Sequence, residues 1–180
     1  MKVKGIVDED FVNYKLPSMY IIFPSCDFKC DRENECQLCQ NSSLIDLPDI
    51  EIDKEGIIER YLANPITKAF VLGGLEPFDS EFDLLPFIDA VRRQYKCDDP
   101  IVIYTGYTEN ELDSGNWGKK GAKGVQMGYW NCIKEYKNII VKFGRYRPNQ
   151  IKHFDEVLGV ELASMNQYAK EYNCENTNHS

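Results

Sequence analysis

The sequence has few cysteines for a disulfide scaffold, an excess of acidic over basic residues, and no long apolar run. Its seven cysteines among 180 residues are too sparse for a protein built on disulfides. Its 21 basic residues are outnumbered by 29 acidic ones, for a net charge of −8, whereas nucleic-acid binding needs clustered Lys and Arg. No run approaches the roughly 18 apolar residues of a membrane span, and the first 16 residues lack a signal-peptide core. We therefore expect a cytoplasmic protein that binds neither nucleic acid nor membrane.

Length and composition favour one globular domain over residues 1–180. A hydrophobic fraction of 43% excludes wholesale disorder, and a chain of this length can bury its own core. Residues 1–18 are interpreted as an N-terminal extension to that domain. Residues 173–180 are polar and are expected to fray.

Apolar runs separated by helical patterns predict an α/β fold with a mostly parallel sheet. Residues 19–23 (MYIIF), 69–72 (AFVL), 101–104 (IVIY) and 139–143 (IIVKF) have the continuous apolar character of buried parallel strands. Such sheets bind ligands at the carboxyl ends of their strands. The cysteine loop, Gly73-Gly74 and Thr105-Gly106 each follow one of these runs, so we expect them to converge on one site.

The segments between the strands carry helix signals. Two apolar stripes recur at helical spacing: Ile57, Ile58, Tyr61 and Leu62 after the N-cap candidate Asp53, and Leu84, Ile88, Val91 and Tyr95. Pro86 fits the second helix if that helix begins near Asp83, since proline is tolerated in a first turn. Thr108 and Glu111 form a capping-box pattern that opens a short third helix. Residues 114–128 contain five glycines and three lysines, which favours a mobile basic loop.

Four cysteines crowd one short loop and predict a metal centre. Cys26 and Cys30 are separated by three residues, and Cys36 and Cys39 by two. Thiolates select zinc or iron–sulfur centres over hard cations. Zinc would use all four cysteines, whereas a catalytic iron–sulfur cluster would use three and keep one iron open. The insert of residues 31–35 fits neither template, so spacing alone leaves both centres possible.

Four segments together resemble the activating proteins of anaerobic ribonucleoside-triphosphate reductases, within the radical S-adenosylmethionine superfamily. The loop FPSCDFKC…CQLCQN resembles the CxxxCxxC cluster motif of that superfamily. LGGLEPF at residues 72–78 lies where the family has its Gly-Gly-Glu motif, and IYTGYTENEL at residues 103–112 resembles its third strand and the following turn. LASMNQYA at residues 162–169 resembles an Asn-Gln-containing segment near the C-terminus. The similarity extends from about residue 19 to residue 172.

The resemblance implies a [4Fe–4S] cluster that chelates S-adenosylmethionine and cleaves it to a 5′-deoxyadenosyl radical. Cys26 and Cys30 would be two ligands, and the third would be Cys39 or Cys36. Cys39 is favoured because Leu38 precedes it, as an apolar residue precedes the last ligand in the family. Further cofactor-binding candidates are Leu38, Gly73, Gly74, Glu76, Thr105, Tyr107, Asn166 and Gln167. An extra residue, Leu75, stands before Glu76.

Several of these candidates also have a purely structural interpretation. Gly73 and Gly74 suit close approach of the backbone to a ligand, but also a plain strand-to-helix turn. Thr105 and Tyr107 suit contacts with the cofactor or a capped turn. Asn166 and Gln167 suit cofactor binding or the shaping of the site's opening.

The resemblance further implies an activase that forms a glycyl radical on the large subunit of an anaerobic ribonucleotide reductase. A low-potential donor such as flavodoxin or ferredoxin would supply the electron. With room for about five to six βα units, the chain would form an incomplete TIM-type barrel, open to a partner's loop. Two alternatives remain: a radical enzyme acting on another glycyl-radical enzyme or a small molecule, and a non-enzymatic zinc or iron–sulfur module.

Overall fold

The computed structural model describes residues 1–117 and 123–173. Its strands are β1 (Lys2–Val3), β2 (Gly5–Asp10), β3 (Ser18–Phe23), β4 (Ile50–Glu51), β5 (Ala69–Gly74), β6 (Ile101–Tyr104), β7 (Ile139–Phe143), β8 (His153–Asp155), β9 (Val160–Leu162) and β10 (Tyr168–Tyr172). Its α-helices are α1 (Lys29–Asn34), α2 (Lys54–Ala63), α3 (Glu81–Asp89), α4 (Glu109–Asp113) and α5 (Lys123–Lys134). Short 3₁₀ segments lie at Ser42–Asp46 and Pro77–Ser80, and a π-helical turn at Ala90–Gln94 follows α3.

A six-stranded mixed sheet forms the centre of the described chain, in the order β10-β7-β6-β5-β3-β2. The four middle strands are parallel, and β2 and β10 pair antiparallel at the edges. The middle strands are nearly all buried, which is why their sequences are apolar throughout instead of alternating. They occur in the sheet in chain order, so their carboxyl ends share one edge.

The two faces of the sheet are covered differently. Phe70 and Leu72 belong to the larger core, which includes the buried sides of α2, α3, α4 and α5. Ala69 and Val71 point to the opposite face, where they pack with Tyr14 and with residues of the β8–β9 region. This alternation follows from the two-residue period of a strand. Helices therefore cover one face, and a loop with a small hairpin covers the other.

The strand predictions are confirmed for all four apolar runs, with identical bounds for β6 and β7. The expected five to six βα units are too many for the described residues, in which four strands are parallel. The reason is that both outer strands return antiparallel. One of them, β2, lies within residues 1–18, so the predicted N-terminal extension supplies an edge of the main sheet. Residues 174–180 of the predicted tail lie outside the described part.

Two helix predictions need correction. Leu62 is 50% exposed, because the buried stripe of α2 ends at Tyr61 and the next residue points about 100° away. Pro86 is the sixth residue of α3 and not part of its first turn, since that helix begins at Glu81. The capping box at Thr108 and Glu111 is confirmed, with both of its hydrogen bonds present.

The prediction of a loop over residues 114–128 is wrong from Lys123 onward. That part begins α5, whose buried residues Gln126, Trp130 and Ile133 fix it to the core. Burial of this face outweighs the low helix propensity of Gly124 and Gly128, where an added Cβ would meet nothing within 4 Å. Residues 118–122 of the predicted loop lie outside the described part.

Across residues 1–117 and 123–173, no helix combines the length and apolar character that crossing a bilayer requires.

Candidate metal centre

The cysteine loop leaves the carboxyl end of β3 and wraps around a cavity of about 370 Å³. Cys26, Cys30 and Cys39 line this cavity. Cys39 lies close enough to Cys30 to raise the pKa of the Cys30 thiol, and Cys30 does the same for the Cys26 thiol. Cys36 is exposed, lies outside the cavity lining, and its thiol donates to the Asn34 carbonyl at 3.2 Å. The fold thus brings three of the four cysteines together.

Hydrogen bonds within the cysteine loop join α1 to the segment that follows it. The carboxylate of Asp31 accepts from the backbone amides of Leu38 and Cys39, both at 2.9 Å. The side-chain amide of Asn34 donates to the Cys30 carbonyl at 2.7 Å. The segment after α1 is therefore tied directly to the helix that carries Cys30.

Burial favours the protonated form of the Cys26 and Cys30 thiols. It raises the pKa of Cys26 above its usual range, and the charges of Glu76 and Asp79 act in the same direction. Burial likewise raises the pKa of Cys30 to about 11, and the neighbouring Cys39 side chain adds to the effect. Both thiols are protonated at neutral pH without a metal, so metal binding must release their protons.

Glu76 lines the cavity and is 7% exposed. Its carboxylate accepts from the Thr105 hydroxyl at 2.8 Å, from the Gly106 amide at 2.8 Å and from the Phe78 amide at 3.2 Å. Burial raises the pKa of Glu76 to about 8, while these three hydrogen bonds oppose that rise. Glu76 thereby joins the turn after β5 to the turn after β6.

Three of the described cavity-lining residues are cations: Lys29, Lys142 and Arg145. Lys142 is 8% exposed and donates to the Gly144 carbonyl at 2.8 Å. Burial lowers the pKa of Lys142 to about 8, and the charge of Glu76 opposes that change. A buried ammonium beside a cavity is a site for a carboxylate, because pairing compensates its lost hydration.

Glu111 pairs with the other two cations. The Arg145 guanidinium donates two hydrogen bonds of 2.9 Å to the Glu111 carboxylate. Lys29, which lies between Cys26 and Cys30 in the sequence, donates to the same carboxylate. Burial raises the pKa of Glu111, but the bonds from Arg145 and Lys29 outweigh burial and lower it to about 2. The network connects the cysteine loop to the first turn of α4.

Most of the predicted cofactor-binding residues line this cavity, but two do not. The lining includes Leu38, Gly74, Glu76, Thr105, Tyr107 and Gln167. Gly73 lies one residue inside β5, where an added Cβ would meet Tyr20 and Tyr104 at 3.2 Å. Asn166 is not among the lining residues and donates to the Arg145 carbonyl at 2.8 Å.

The lining candidates also make internal bonds. The Gly74 carbonyl accepts from the Asn41 side chain at 2.7 Å. Gln167 donates to the Gly144 carbonyl at 3.3 Å and accepts from the Ser164 amide at 3.2 Å. Tyr107 donates its hydroxyl to Asp79 at 2.7 Å.

Sequence reasoning missed Asp31, Lys142 and Arg145. A lysine inside the apolar run IIVKF is a signal for Lys142, because a charge in a buried strand needs a reason. Arg145 lies just after the carboxyl end of the fourth parallel strand. Since ligands bind at the carboxyl ends of such strands, it was a candidate for the same reason as Gly74 and Thr105. The sequence contains no periodic signal for Asp31, whose contacts depend on the fold of the loop.

The cavity is lined by three cysteines, whereas a zinc ion bound by thiolates alone takes four. Within residues 1–117 and 123–173, the one group of three or more metal-ligating side chains gathered within 4.8 Å is Cys26, Asp27 and Asp79. In a [4Fe–4S] cluster each thiolate binds a different iron, so three cysteines can hold a cluster and leave its fourth iron open.

Comparison with known proteins supports the same centre. A sequence-family model described as a 4Fe-4S single cluster domain matches residues 19–142, from β3 to β7. No curated protein and no solved structure matches the chain. The matched segment contains all four cysteines of the loop and all four parallel strands. Since the match covers more than half of the chain, the protein belongs to the 4Fe-4S single cluster domain family and contains a 4Fe-4S cluster-binding domain.

Proposed function

We propose that the chain is a radical S-adenosylmethionine activase, which forms a glycyl radical on the large subunit of an anaerobic ribonucleotide reductase. The observation that carries the proposal is the set of Cys26, Cys30 and Cys39 on the wall of one cavity, with Cys36 outside it. Three ligands leave a fourth iron open to a small molecule. The family's domain is found in radical S-adenosylmethionine-type proteins.

The bound cluster would supply one electron to cleave the sulfonium of S-adenosylmethionine and give a 5′-deoxyadenosyl radical. The chain's residues would bind and orient the cofactor. Lys142 offers a buried ammonium to the methionyl carboxylate. The Gly74 carbonyl, which has a second lone pair beyond its bond to Asn41, offers an acceptor to the methionyl ammonium.

A protein substrate is supported by the way the cavity is bordered. On the face of the sheet that carries no helix, its rim is formed by Val12 and Asn13 and by residues 160–163. Val12 is 72% exposed there. We infer that the four parallel strands, with helices on one face, are part of an incomplete barrel, and that a partner's glycine loop would enter at this rim.

Anaerobic reconstitution tests the radical chemistry. The wild-type chain is expected to bind about four irons and, with a low-potential donor such as flavodoxin or ferredoxin, to release 5′-deoxyadenosine. Stoichiometric zinc with no cleavage would favour the non-enzymatic module instead. A low-potential reduced cluster of this kind belongs in a reducing compartment such as the cytoplasm.

Cys39→Ala and Cys36→Ala form a matched pair for the ligand assignment. Cys39→Ala should lose the cluster, as Cys26→Ala should, whereas Cys36→Ala should keep it. Loss of the cluster in Cys36→Ala alone would reverse the assignment. Iron and sulfide content with cluster EPR measure each outcome without any need for catalysis.

The partner requires its own experiment. Mixing the reduced, loaded chain and S-adenosylmethionine with an anaerobic ribonucleotide reductase large subunit should produce a glycyl-radical EPR signal. A variant of that subunit without its radical glycine is the control. Cleavage of S-adenosylmethionine without this signal would favour another glycyl-radical enzyme or a small-molecule substrate.

A further inference from the structure

The five residues inserted between Cys30 and Cys36 form part of an ordered helix. The first four continue α1 to its end at Asn34. The fifth, Glu35, caps the helix with a left-handed backbone conformation, at a φ of 53°. Asn34 donates back to the Cys30 carbonyl at 2.7 Å. The insert is therefore folded onto the segment that carries the second cysteine.

Asp31 is the residue of this helix that reaches the third cysteine of the cavity. One oxygen, Oδ1, accepts from the Leu38 amide and the Cys39 amide at 2.9 Å each. The same oxygen lies 3.9 Å from Sγ of Cys30. A single carboxylate thus accepts two charge-assisted hydrogen bonds, which are stronger than neutral ones, from the backbone at Leu38 and Cys39, and it also lies beside the Cys30 thiol.

The position of this carboxylate has two consequences for a cluster. First, it fixes the backbone at Cys39 before any metal binds, so less ordering is needed during binding. Second, it places a negative charge beside the Cys30 thiol and occupies the amides of Leu38 and Cys39, which can then not donate to a cluster sulfur. Nearby negative charge and fewer hydrogen bonds to the sulfurs both disfavour the added electron of the reduced cluster.

We propose that Asp31 is a positioning residue, which holds Cys39 in place as the third ligand and lowers the reduction potential of the cluster. The inference rests on the proposed cluster ligands but not on the identity of the substrate. It gives the insert, which departs from the CxxxCxxC spacing, a defined role in this chain.

Two substitutions at Asp31 separate its positioning of the Cys39 backbone from the effect of its charge. Asparagine at position 31 keeps an Oδ1 that can accept both amides but removes the charge, whereas alanine removes both. Asp46→Asn, at an exposed aspartate of the Ser42–Asp46 turn, is the matched control for loss of one charge in the same loop.

Amide hydrogen exchange of the metal-free full-length chain provides the first measurement. The Leu38 and Cys39 amides should exchange markedly faster in Asp31→Ala than in the wild type, and Asp46→Asn should match the wild type. Equal exchange at both amides in all three proteins would overturn the positioning role. Because no metal is present, this result stands even if the chain proves to bind zinc.

Iron loading and the reduction potential of the cluster provide the second measurement. Iron affinity should fall about 10- to 100-fold in Asp31→Ala, the range typical of residues that orient metal ligands. Asp31→Asn should load like the control, and EPR-monitored redox titration should show a midpoint potential above those of the wild type and Asp46→Asn. Undiminished loading of Asp31→Ala, or a potential in Asp31→Asn equal to the control, would overturn the proposal.

Discussion

Replacing Glu111 by glutamine should weaken the attachment of the cysteine loop to α4. Glu111 accepts two bonds of 2.9 Å from Arg145 and one from Lys29, which lies between two cysteines of the cavity. Glutamine is also compatible with the capping box at Thr108. The substitution therefore removes the ion pairs and leaves the start of the helix in place.

The pKa of Glu111 gives the magnitude. Hydrogen bonds from the two cations, opposed by burial, lower it from 4.5 to about 2. At about 1.4 kcal/mol for each tenfold change, this corresponds to at most about 3 kcal/mol of stability. The Glu111 side chain is 19% exposed, so solvent screening reduces that figure, and we expect a loss of about 1–3 kcal/mol at pH 7.

The pH dependence has a definite sign. Because the pKa is lower in the folded chain, the stabilisation is complete above pH 4.5 and disappears as the pH falls toward 2. The difference in unfolding free energy between the wild type and Glu111→Gln should therefore shrink over that interval. Urea unfolding of the metal-free chains at several pH values measures it, with Glu135→Gln, at an exposed glutamate, as the control.

A difference that stays constant from pH 7 to pH 3 would refute the assignment of this stability to the Glu111 ion pairs. A loss in Glu135→Gln as large as in Glu111→Gln would do the same, since it would show a general effect of net charge. Amide exchange in residues 26–30 should increase in Glu111→Gln alone, because Lys29 then loses its charged partner.

Three further predictions concern the base of the site. Gly74→Ala should cost about 2–4 kcal/mol, since Gly74 has a φ of +82° and an added Cβ would lie 2.5 Å from Ile22; Gly124→Ala, in open space on α5, should instead gain about 0.5–1 kcal/mol. Thr105→Val should cost about 1–3 kcal/mol in thermal or urea unfolding, because it removes the hydroxyl donor to a buried carboxylate, whereas Thr105→Ser should cost less. Lys142→Met should stabilise the chain by about 1–3 kcal/mol at pH 7 and weaken S-adenosylmethionine binding in calorimetry. Burial lowers the pKa of that lysine from 10.5 to about 8, so the gain should shrink as the pH rises from 8 toward 10.5.

The parts of the fold that were predictable are those with strong local signals. Continuous β-branched runs mark β6 and β7 at the observed residues, because strands buried on both faces need apolar side chains at every position. The edge strand β2 was missed, since its sequence GIVDED ends in three charged residues and contains only two apolar ones side by side. Pairing with β3 makes it a strand, which is a tertiary effect.

The site was predictable as far as strand ends determine it. Cys26, Gly74 and Thr105 lie at or just beyond the carboxyl ends of three different strands and meet at one cavity, as parallel topology requires. The sequence could not give the partners of each side chain. Thr105 was expected to contact the cofactor or cap a turn, and its hydroxyl in fact donates to Glu76, a residue 29 positions earlier.

The spacing of the cysteines shows why a ligand motif can lengthen without losing its geometry. What constrains a metal loop is the distance between ligands in space, and a helix advances only about 1.5 Å per residue against more than 3 Å in an extended chain. Four of the five residues between Cys30 and Cys36 lie in α1, so they add about one turn and little length. Cys36 lies two residues beyond the end of that helix and is exposed, while the next residues return to Asp31 and bring Cys39 back to the cavity. A helical insert whose Asp31 carboxylate binds the backbone at Cys39 is therefore compatible with the three-cysteine site. The number of residues between cysteines is a weaker guide to which cysteine is a ligand than the contacts of the backbone at each cysteine.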